Sequence, residues 1–168
     1  MKQTLKYILN YVLENLKIAE TKHSIILALN GAVIAFVLAF NEPQSQYIQY
    51  LNYAVLFFAG LSIIISFSAL HSRSVNVKYK PKKYSDTNLL YYQNLATMTS
   101  GELLQNIIKF YDYPKSYQVD NFEIDLASTI IANSKVASKK FRLFNDSTFF
   151  CVLSIITAVA MFLLNGVL

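Results

Sequence analysis

The chain has 168 residues, 54% of them apolar and 15% charged, with 15 Lys plus Arg against 10 Asp plus Glu. That balance excludes an ordinary soluble enzyme of this size. A single cysteine, Cys151, excludes an intrachain disulfide and sits in an apolar run where thiols act as packing groups.

In chain order, residues 1–22 place Leu5, Ile8, Leu9, Val12, Leu13, Leu16 and Ala19 at helical spacing between lysines and glutamates, which predicts an amphipathic helix leading into the apolar run that begins at His23. His23 to Phe40 is free of Asp, Glu, Lys and Arg and long enough for a first membrane span. It comes after 22 residues and leads into NEPQSQY rather than a small-residue cleavage site, so it reads as a retained span and not a signal peptide. Leu51–Leu70 and Thr148–Leu168 are equally uncharged and predict a second and a third span. Between them, residues 71–147 predict a small helical segment. It opens with a basic, Pro-interrupted linker, HSRSVNVKYKPKKYS, and continues to a short helix near NLLYYQNLA. A second helix over about residues 100–111 is announced by the capping-box spacing of Thr99 and Glu102. From Asn121 onward no Gly or Pro intervenes before the third span, so one long helix is expected to run into it. The fold class is therefore an all-α membrane protein with three transmembrane helices.

Charge sorts these segments. Residues 1–22 and 71–147 hold all 15 basic residues, and residues 41–50 hold only Glu42. By the positive-inside rule the N-terminus and the 71–147 segment are cytoplasmic and the C-terminus lies outside, with Tyr47, Tyr50 and Tyr53 in an outer aromatic belt. In a bacterial cell the membrane would be the inner one.

Within the first span, Ser24, Ala28 and Ala32 form one i, i+4 row and Gly31, Ala35 and Ala39 another, small enough for close helix approach. The rows serve either packing within the chain or contact between copies. Asn30, the one amide deep in that span, needs a partner helix or a pore. Ser24, Ala28, Asn30, Gly31 and Ala32 are the candidates for assembly or permeation.

No phosphate loop, dinucleotide fingerprint, zinc-protease motif or C-x-x-C occurs, and His23 and His71 are 48 residues apart, so neither a catalytic site nor a metal site is expected. Asn145-Asp146-Ser147 matches a glycosylation sequon but falls on the cytoplasmic side. What remains is cationic and aromatic. Lys135, Lys139, Lys140 and Arg142 crowd the approach to the third span, and seven of the 12 tyrosines lie in the 71–147 segment. Stop-transfer charge explains the first and core packing the second; together they also suit a small nucleotide, with rings for the base and cations for the phosphate.

Three stretches, in this order, resemble the transmembrane effectors of bacterial Pycsar anti-phage systems. They are IAETKHSIILALNGAVIAFVL at 18–38, NLLYYQNLATMTSGELL at 88–104 and DLASTIIANSKVASKKFRLF at 125–144. The second departs from the family pattern, with Tyr91, Tyr92 and Gln93 where Phe, Phe and Gly are expected. The resemblance implies an effector that binds a cyclic pyrimidine mononucleotide, cCMP or cUMP, and then breaks inner-membrane integrity, causing abortive infection. It works alongside a nucleotide cyclase without requiring contact with it. A switch driven by one small ligand further suggests a homo-oligomer, with no other cofactor and no nucleic-acid partner. The expected nucleotide-binding residues are Lys22, Tyr91, Tyr92, Asn94, Asn133, Lys135, Lys139 and Arg142. Gating by a cyclic oligonucleotide, or a constitutive scaffold that binds a protein partner, are the competing expectations.

Overall fold

A computed structural model describes residues 1–39, 45–71, 88–114 and 116–165, the side chain of Asn165 excepted. The predicted basic linker, His71 aside, lies outside the described residues. Among them there is no strand, and five helices succeed one another: α1 (Lys2–Ala39), α2 (Gln46–His71), α3 (Tyr92–Leu95), α4 (Ser100–Phe110) and α5 (Asn121–Asn165). Three of these, α1, α2 and α5, are long and apolar enough to cross a membrane. The amphipathic N-terminal pattern and the first span are one unbroken helix of 38 residues, and the approach to the third span and that span are one helix of 45.

The chain divides into two compact units, residues 1–19 with 72–141 and residues 20–71 with 142–168. In the first unit, Leu5, Ile8 and Val12 of α1 share a core with Leu95 of α3, Leu103 and Ile107 of α4, and Ala127, Ile130 and Ile131 of α5. The helix starts explain why these segments fold locally. At α4 the Thr99 hydroxyl accepts from the Glu102 amide (3.2 Å) while Glu102 Oε2 accepts from the Thr99 amide (2.7 Å), satisfying two donors the helix leaves open. The entry to α5 repeats the device: Asp120 Oδ1 accepts from the Glu123 amide (2.8 Å) and Glu123 Oε2 from the Asp120 amide (3.2 Å). Glu123 is buried, and its second oxygen accepts from the Tyr117 hydroxyl at 2.8 Å, which raises the tyrosine's pKa because the bond favours the neutral phenol. Lys2 reaches across from α1 to Asp120 at 2.6 Å.

In the second unit the three spans bury residues at alternating three- and four-residue steps. The seam of α2 reads Ile48, Asn52, Val55, Ala59, Ser62, Ser66 and Ala69. That period keeps one stripe facing its neighbours, as in left-handed helix bundles. Val37, Ile48, Val55, Ala158 and Met161 form the apolar part of this core. Its polar part is a relay through all three helices: Asn30 Nδ2 donates to Ser62 Oγ (2.8 Å), and Ser62 donates to the main-chain oxygen of Ser147 (2.8 Å).

Candidate functional site

The aromatic pair singled out in the sequence lies at the entry to α3. Tyr91 and Tyr92 have ring centroids 5.2 Å apart, and Tyr92 in turn stacks on Phe141 of α5 at 4.9 Å and 24° from parallel. This stack fixes α3, a single turn with no side-chain cap of its own, against α5. Asn94, two residues on, is buried, with its amide aimed at the carbonyl of Asn88 at the long distance of 3.5 Å. Asn133, Lys135 and Lys139 are half-buried on α5. These six expected ligand residues all belong to the first unit.

Lys22 and Arg142 belong to the second. Arg142 is exposed. Lys22 holds its ammonium 5.1 Å from the centre of the Phe144 ring, whose edge also meets His23 at 5.9 Å, so this cation already has an aromatic partner within its own unit.

The span residues separate by face. Asn30 is fully buried and bonded to Ser62 and to the Ile26 carbonyl, whereas Ser24, Ala28, Gly31 and Ala32 are exposed. A Cβ added at Gly31 would meet nothing within 4 Å. Asn30 is therefore glue among the spans of one chain, and the small row points away from them. Beside it, an apolar groove of about 410 Å³ between α1 and α5 is lined by Ala32 and Ala158 among others, with Phe36 and Phe162 6.1 Å apart.

Four residues on α5, in or leading to the aromatic stack, are absent from the expected nucleotide-binding set. Lys140, there only one member of a basic cluster, is 3% exposed, more deeply placed than Lys135 or Lys139. Phe141 completes the stack. Ser134 and Ser138 are buried, and neither hydroxyl has a hydrogen-bond partner. The readable signal is their period: Ala127, Ile130, Ser134, Ser138 and Phe141 recur at three- and four-residue steps, so a stripe that begins apolar turns polar before the aromatic. Among the described residues no group of three His, Cys, Asp or Glu gathers to hold a metal.

Comparison with known protein families gives a match across nearly the whole chain: the family model described as PycTM, the Pycsar effector protein domain, covers residues 4–166. No curated protein and no solved structure matches.

Proposed function

Because this chain belongs to the PycTM family of Pycsar effectors, and is thus a membrane effector of anti-phage defence, we propose that it is gated by a cyclic pyrimidine mononucleotide, cCMP or cUMP, and that the bound form breaks inner-membrane integrity. The first unit receives the nucleotide on the cytoplasmic side; the second, spanning with the C-terminus outside, does the damage. The protein acts as a non-enzymatic homo-oligomer, and a separate cyclase supplies the ligand.

One observation carries this reading. Helices α1 and α5 each contribute residues to both units without a break. A ligand that changes the packing of their first-unit portions therefore acts on the same rods that form the first and third spans. The ligand must bind the damaging state more tightly than the resting one, and moving a population from 1:99 to 99:1 takes roughly 5.5 kcal/mol of difference. A single mononucleotide charge is a modest source for that, which supports several subunits switching together.

The test is dye leakage from liposomes carrying the purified protein, with cUMP, cCMP, cAMP, cGMP and a set of cyclic oligonucleotides added separately. Leakage with one cyclic pyrimidine is the expected result. Leakage only with a cyclic oligonucleotide would replace the ligand, and silence with every ligand in vesicles of verified insertion would favour a scaffold.

A further inference from the structure

In the turns of α5 that lead to Phe141, every residue from 133 to 141 is buried or half-buried. Within them the sequence steps Ser134-Lys135 and then, one helical turn later, Ser138-Lys139. Ser134 and Ser138 are 0% and 2% exposed, and both hydroxyls lack a partner. This sets them apart from Thr129, Thr148 and Thr157, whose hydroxyls return to the carbonyl one turn back at 2.8, 2.7 and 2.8 Å. A hydroxyl taken from water without a partner is unfavourable, and interiors leave few of them. Two on one helical row make a polar strip that ends at the Tyr92–Phe141 stack.

We propose that Ser134 and Ser138 are the edge-reading half of a subsite for a planar, uncharged heteroaromatic ring, on the helical row that ends at the Tyr92–Phe141 stack. The inference rests on the nucleotide reading above and assigns the base, rather than the phosphate, to this row. A serine hydroxyl both donates and accepts, so a pair of them matches a ring edge that carries a carbonyl beside an N–H or amino group. A phosphate at the same depth would need a cation there. Lys140 is buried, but it projects about 200° round the helix from Ser138. Lys135 and Lys139 are rotated only about 100° from their neighbouring serines and are half-buried, which places their charge at the rim, where a phosphate keeps part of its hydration.

The test uses the full chain in nanodiscs and titrates cCMP and cUMP onto wild type, Ser134→Ala, Ser138→Ala and the double variant, with a melting curve of each ligand-free protein. Alanine is the better helix former and removes an unpartnered group, so the ligand-free melting temperature is expected to hold or rise. Affinity of the double variant for the preferred nucleotide is expected to fall about tenfold or more, each lost hydrogen bond contributing a few-fold. The preference between cCMP and cUMP should shrink toward one. Unchanged affinity and preference would overturn the assignment, as would an equal loss for both nucleotides with the preference intact, since that marks the serines as structural. If wild type binds neither nucleotide, the proposed function itself falls, and the assignment with it.

Discussion

The amide of Asn30 donates to the Ser62 hydroxyl at 2.8 Å, across 32 residues of sequence and between two membrane spans, and the Ser62 hydroxyl donates in turn to the Ser147 carbonyl on the third. The order of the relay makes its two members unequal. Removing Asn30 breaks one contact between spans; removing Ser62 breaks two, and leaves the Asn30 amide with the Ile26 carbonyl as its remaining partner. We expect Ser62→Ala to destabilise the spans by about 0.6–1.7 kcal/mol, the range of hydrogen bonds between transmembrane helices, and Asn30→Leu to change stability less. Unfolding of both variants in mixed detergent reads the difference, and equal losses would refute the relay's direction.

Ile107 is fully buried where α4 meets α1 and α5. Ile107→Ala should cost about 2–5 kcal/mol in stability of the first unit, from lost transfer energy and the cavity left behind. Thr99→Ala, which removes one half of the capping box at the start of the same helix, should cost about 1 kcal/mol. Amide hydrogen exchange over residues 100–110 checks both, with protection falling further in the first.

The Lys2–Asp120 pair gives the first unit a pH dependence of known sign. The Lys2 ammonium, and after it the Glu123 amide, holds the Asp120 carboxyl below its ordinary value of 3.8, and the same contact raises Lys2 above its ordinary 10.5. Asp120 therefore contributes stability that is whole above the usual carboxylate range and is lost as pH falls through its lower folded value. Lys2 contributes stability that is whole below its ordinary value and is lost as pH rises through the higher folded one. Both groups are solvated, so the effect is small and salt-sensitive. Asp120→Asn keeps an acceptor for the Glu123 amide but removes the charge. Its melting temperature should fall less than that of wild type between pH 5 and pH 2, as tracked by circular dichroism.

Much of this architecture was legible because hydrocarbon and helix ends leave few options. Runs such as Leu51–Leu70 need no partner to declare themselves, and the Thr99–Glu102 spacing names a helix start outright. The continuity of α5 was legible from the absence of Gly and Pro after Asn121. The candidate site was harder. Tyr91 and Tyr92 are conspicuous as types, yet the partner that orients Tyr92 is Phe141, 49 residues later, and sequence spacing does not encode contacts at that range. Charge marks the lysines of this stretch alike, whereas burial separates Lys140 from Lys135 and Lys139. The serines carry no signal as types, because a serine on a helix ordinarily satisfies itself on its own backbone, and only the folded chain reveals that Ser134 and Ser138 do not.

Gly31 sits inside a helix with open space where its side chain would be. A helical glycine gives up roughly 1 kcal/mol relative to alanine, and the folded protomer gains nothing back from it. Its exposed neighbours Ser24, Ala28 and Ala32 are small in the same unrewarded way. The adjoining faces carry large side chains freely at Ile25, Leu29 and Phe36. The smallness of this row therefore plays no part in joining the spans of one chain, a task left to Asn30 and Ser62.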